Sequence, residues 1–169
     1  MTCIVAPTRR LAPLLIAGLL CSAPALAQES GGGVDEASES ALILQRNATL
    51  AQQALSARDF RKARQYAQTV TRGAPKRIEG WLMLGAAQTG LEDWKAAGAT
   101  YRTAVRLAPV NADAHTGLGV ALAHNGDAGA AEQLAWLTTT ARTCSTNCAT
   151  LARQKSDVEA AIAAAAKGR

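Results

Sequence analysis

The chain has 169 residues, which is room for one domain with short extensions and not for a second, catalytic one. Forty-nine per cent are hydrophobic, yet there are only 3 Trp, 2 Tyr and 1 Phe, so a core must come from close approach of small-faced helices rather than from bulky side chains. The net charge of +5 becomes +3 (16 basic against 13 acidic residues) once a leader carrying Arg9 and Arg10 is set aside, too weak a surplus for a nucleic-acid footprint.

The leader comes first. Arg9 and Arg10 precede the apolar run LAPLLIAGLLC and then APALAQ, with small residues at Ala25 and Ala27. This is the layout of a secretory signal peptide over residues 1–27, cleaved after Ala27. The apolar run falls short of the roughly 20 residues that a membrane span needs, and no other segment qualifies. A lipid anchor at Cys21 is disfavoured, because bulky Leu20 stands where such sites carry a small residue. The pair Arg9-Arg10 reads as ordinary leader charge rather than a twin-arginine signal. Residues 28–40 are rich in Gly, Ser and acids without an apolar period, and a disordered linker is expected there.

Beyond the linker the chain repeats with a period of 34 residues. Ala63, Ala97 and Ala131 keep it, as do Leu50, Leu84 and Leu118, then Ala51, Gly85 and Gly119, and then Asp59, Asp93 and Asp127. Pro75 and Pro109 close successive units, since proline does not continue a helix interior. Each unit reads as two helices. In the middle copy Trp81, Leu84, Gly85 and Gln88 share one helix face. Gly90 then interrupts the pattern, Asp93 caps the next helix, and Ala97, Tyr101 and Ala104 mark its buried face. Gly85 and Ala97 let the backbones approach while Trp81 and Tyr101 fill the space beside them, each burial worth roughly 1.5–3 kcal/mol.

These residues resemble the tetratricopeptide repeat family, whose pattern the middle copy supplies as Trp81, Leu84-Gly85, Ala97, Tyr101, Ala104 and Pro109. The first copy keeps Leu50-Ala51, Phe60, Ala63 and Pro75 but has Asn47 for the tryptophan. The third keeps Leu118-Gly119, Asn125 to Asp127 and Ala131, then departs at Ala135, Thr138 and Thr143. The resemblance implies an all-α, right-handed superhelical solenoid over residues 41–169, with repeats at about 44–77, 78–111 and 112–145. A capping helix at about 149–166 carries Leu151, Val158 and Ile162 at helical spacing.

No catalytic constellation emerges. His115 and His124 fall on opposite sides of one helix and cannot share a metal ion; His115 takes the column of Trp81 and reads as a packed residue. In CSTNC, a zinc site lacks further ligands, and haem attachment would need a histidine where Ala149 stands. A disulfide between Cys144 and Cys148 needs no other partner in an exported protein, and loop-closure entropy makes it worth about 2 kcal/mol. A redox switch or an intermolecular bridge is the alternative. Glu92 and Asp93 sit at a turn, where capping accounts for them, and the sequon Asn47-Ala48-Thr49 lies inside a helix. No cofactor motif is present, and the expectation is a protein that is not an enzyme.

The resemblance places a concave, partner-binding groove on Gln45, Ala48, Gln52 and Leu55, on Glu79, Leu82, Met83 and Ala86, and on Asp113, Thr116, Val120 and Ala123. One subgroup of the family grips terminal carboxylates with Lys, Arg and Asn; here Ala48, Gln52, Met83, Asp113 and Gly117 stand at those positions, so that clamp is absent. An extended or helical apolar segment of a protein or peptide is the expected occupant. A competing surface is the basic strip of Arg58, Arg61, Lys62, Arg64, Arg72, Lys76 and Arg77, which would seek an acidic partner or a membrane surface. The function expected is a scaffold or adaptor in the bacterial periplasm. The alternatives are an accessory subunit of an exported enzyme or envelope complex, and a self-associating structural protein.

Overall fold

The computed structural model describes residues 36–168; the expected signal peptide and residues 28–35 of the expected linker lie outside them. Seven helices follow one another: α1 (Glu36–Ser56), α2 (Phe60–Gly73), α3 (Ile78–Gly90), α4 (Trp94–Leu107), α5 (Ala112–His124), α6 (Gly129–Thr143) and α7 (Cys148–Lys167). No strand occurs among the described residues. α1 begins at Glu36, so residues 36–40 are its first turns and not linker. Ala37 and Ala41 are strong helix formers, and acids near a helix N-terminus meet the positive end of its dipole.

The turn inside each pair is built by one backbone geometry. Arg58 (φ 56°), Glu92 (φ 58°) and Gly126 (φ 70°) occupy the same place in successive copies and all are left-handed. That conformation, rather than Gly90, is the break between helices: α3 runs through Gly90, whose missing Cβ leaves room for the Phe60 ring. The next residue caps the second helix. The Asp59 carboxylate accepts from the Lys62 N–H and that of Asp93 from the Ala96 N–H, each at 3.2 Å.

Small residues set the core. Ala51, Ala63, Ala67, Ala87, Ala97, Ala104, Ala114 and Ala121 are wholly buried, so neighbouring helices meet nearly backbone to backbone. α1 touches α3 and α3 touches α5, whereas α2 does not touch α4, nor α4 α6. The stack therefore closes along α1, α3 and α5, which line its concave side, and opens along the second helices. α1 ends the stack on a polar note. Exposed Arg46 and Gln53 stand where the later copies carry buried Gly80 and Ala87, then Ala114 and Ala121.

The 34-residue ruler slips in α6. In α2 and α4 the fourth residue past the cap bonds back to the cap carbonyl, Ala63 to Asp59 and Ala97 to Asp93. In α6, Asp127 instead caps Gly129, and Ala130 and Ala131 bond to Asp127 and Ala128, three residues back. This tighter first turn rotates the helix. Its inward face becomes Ala130, Leu134, Leu137 and Ala141, while Ala131 and Ala135, the positions that keep the repeat, are exposed. α7 then lies against both α6 and α5, covering α5 far more broadly than α3 covers α1. Leu137, Leu151 and Val158 form the core of that junction.

Left-handed geometry costs a side-chain-bearing residue about 1–2 kcal/mol, which glycine avoids in part at the expense of chain entropy. Glu92→Gly should therefore raise the free energy of unfolding by roughly 0.5–1 kcal/mol in urea titrations. A loss of stability would show that the Glu92 side chain compensates for its backbone.

Candidate functional site

The concave side gathers part of the expected groove. Leu55 from α1, Leu82, Met83 and Ala86 from α3, and Asp113 from α5 meet around one recess of about 260 Å³, with Tyr101 of α4 as the sixth wall. Gln45 and Gln52 are exposed on α1, and Ala48 is half-buried between them. Glu79 is exposed one turn from Leu82 and Met83, its carboxylate 3.5 Å from Arg77. Thr116 is half-buried, its hydroxyl donating to the Ala112 carbonyl at 2.7 Å. Val120 and Ala123 are placed differently from the expectation. Ala123 is only 4% exposed, and Val120 packs beside Ile162 of α7. The broad seat of α7 on α5 removes these two from the groove, which is open along the first two repeats.

Tyr101 is the wall that sequence reasoning assigned only to packing. A Cβ built on Gly85 would lie 2.6 Å from the ring, and one on Gly117 would lie closer still, so two missing side chains admit the ring between α3 and α5. Gly117 on the concave stripe is the signal for this: a side chain of any kind there would close the slot. The residue is 7% exposed, and burial pushes the phenol up to about 12 from its ordinary 10.0. It is a neutral hydroxyl donor at neutral pH. The Thr89 hydroxyl lies beside it but outside hydrogen-bond geometry, and its oxygen is buried without a partner.

Asp113 is the one charged residue in the lining of this recess. One Asp113 oxygen accepts from the Gln154 carboxamide of α7, and among the described residues no Lys, Arg or His forms an ion pair with Asp113. The twelve expected groove positions include two carboxylates, Glu79 and Asp113, and no cation. The basic strip, by contrast, is spread over the first turn, α2 and the loop after it. Lys62 pairs with Asp59 at 3.0 Å, Arg77 with Glu79, and the Arg72 Nε–H donates to the Gln68 carbonyl.

Both histidines hold the fold. The Trp81 Nε1–H donates to the Pro75 carbonyl at 2.9 Å, and His115 Nε2–H donates to the Pro109 carbonyl at 2.9 Å, the same bond one repeat later. His115 Nδ1 meets the Gln133 carboxamide at 2.7 Å, and the ring stacks on Trp136 at 3.7 Å. His124 stacks on Trp94 at 3.7 Å. Among the described residues no group of three or more His, Cys, Asp and Glu is placed to hold a metal ion, and no helix is long and apolar enough to cross a membrane. Cys144 and Cys148 form a disulfide with Cα atoms 5.8 Å apart, joining the end of α6 to the first residue of α7.

The profile of the tetratricopeptide repeat matches residues 49–109 and, overlapping, residues 82–137. No curated protein matches the chain. Among solved structures it is similar to the TPR2B-domain:pHsp70-complex of yeast Sti1, with a TM-score of 0.61 and 19% identity over 76% of this chain and 99% of that one. At that identity the likeness is one of fold.

Two measurements check this geometry. Gly117→Ala forces a methyl onto the Tyr101 ring and should cost roughly 1–3 kcal/mol in urea unfolding; a change under about 0.5 kcal/mol would mean the ring is not confined. Tyr66→Phe leaves Tyr101 as the only tyrosine, and its phenolate absorbance should titrate near pH 12 rather than 10. The sign comes from linkage: stability carried by the raised phenol is complete below pH 10 and is lost as pH climbs through 12.

Proposed function

The chain belongs to the tetratricopeptide repeat family, and on that premise we propose that it acts as a non-catalytic adaptor in the cell envelope, holding a partner segment against the concave face of its first two repeats. Such repeats are protein–protein interaction modules, which sets the class of the function. The observation that carries the finer reading is the recess itself: five residues expected in the groove converge there with Tyr101. Its walls are apolar at Leu55, Leu82, Met83 and Ala86, the composition of a pocket for a side chain of a bound segment. The leader-like residues 1–27 and the Cys144–Cys148 disulfide support export to a periplasm.

The carboxylate grip of one subgroup of the family is not built here: it needs cations, and this concave stripe offers Glu79 and Asp113 instead.

Ala86→Lys tests the reading. Ala86 is half-buried at the recess, whereas Leu82 also packs into the core, so only the former can be changed without loosening the helices. Pull-downs from envelope extracts with wild type and Ala86→Lys side by side should differ in the bands retained, with unchanged helical circular dichroism. Identical bands would move the binding surface elsewhere, to the basic strip around Arg61 and Lys62 if those same bands also fall away steeply with salt.

A further inference from the structure

We propose that the concave recess receives a basic side chain, arginine or lysine, from the partner segment. The inference rests on the interaction-module reading above and adds the chemistry of the residue that is gripped. Two observations on opposite sides of the recess carry it. Leu82, Met83 and Ala86 offer an apolar channel, which suits the methylene stem that arginine and lysine bury while their heads remain polar. At the channel's wall stands Asp113, whose carboxylate is held by the neutral Gln154 carboxamide and by no cation among the described residues. A carboxylate oriented by one hydrogen bond and lacking a counter-charge is ready to accept a charge-assisted bond from an incoming donor.

A neighbouring polar group adds to the same preference. Tyr101 walls the recess, and its hydroxyl can accept from a guanidinium or ammonium N–H. Glu79, in the first turn of α3, is already answered by Arg77 at 3.5 Å, so the preference rests on Asp113. A carboxylate from a partner would meet repulsion from Asp113, and a purely apolar side chain would make no use of it.

The test uses the full chain, isotope-labelled, and three small probes followed by amide chemical shifts: Nα-acetyl-arginine methylamide, its norleucine counterpart and its glutamate counterpart. The arginine probe is expected to shift the amides of Ala86, Tyr101 and Asp113 saturably. It should bind at least about fivefold more tightly than norleucine, with glutamate silent. Asp113→Asn keeps the bond from Gln154 and should erase the arginine advantage while leaving norleucine binding as it was. Norleucine binding as well as arginine, or arginine binding untouched by Asp113→Asn, would overturn the inference and leave the interaction-module reading in place. Failure of all three probes to shift recess amides would also overturn it, and that reading would then stand or fall on Ala86→Lys alone.

Discussion

Everything in this molecule depends on how closely one helix can approach the next. With so few aromatic residues, the stack has little bulk to fill gaps, and its cohesion comes from alanine and glycine columns that bring backbones together. Where a large ring does enter, as Tyr101 does, it needs two glycines to admit it. The consequence is functional as well as structural, because that ring crosses from the outer helix of one repeat to the wall of the concave recess. A packing solution on the convex side thus delivers a hydroxyl to the binding side.

Much of this was legible in the sequence, and the reason is that repeats impose the same contacts at the same interval. The columns of Leu84 and Ala97, the caps at Asp59 and Asp93, and the role of His115 as a stand-in for Trp81 all come from equivalence of position. What a period cannot convey is a slip. Asp127 carries the column's residue type yet caps two residues on rather than three, because the chain tightens at Gly129, and the whole buried face of α6 moves by one residue. The pattern of Leu151, Val158 and Ile162 correctly marks one face of α7 as buried, but a helical stripe does not say which neighbour covers it. That neighbour proves to be α5 as much as α6, which is why Val120 and Ala123 leave the groove while Leu82 and Ala86 stay in it.

The recess was half legible for a similar reason. Leu55, Leu82, Met83, Ala86 and Asp113 come from the first helices, whose concave stripe repeats with the period. Tyr101 comes from a second helix, on the side that the repeat turns outward, and only the absence of side chains at Gly85 and Gly117 lets it through. The electrostatic character is equally a matter of three-dimensional neighbours. Asp113 sits in the first turn of α5, where a helix dipole alone would account for it, and its meaning changes only because Gln154 orients it from α7 and no cation among the described residues pairs with it.

Two polar residues on the outer face of α1 have a consequence for assembly. A solenoid is in principle a polymer with two complementary ends, and any copy whose first helix matched α3 or α5 could dock onto the last helix of another and propagate. Exposed Arg46 and Gln53, standing where Gly80 and Ala87 would otherwise invite a neighbour, make that docking bury a charge and an amide without partners. Among the described residues these two positions oppose end-to-end docking at α1, as a blocked end stops a polymer from growing.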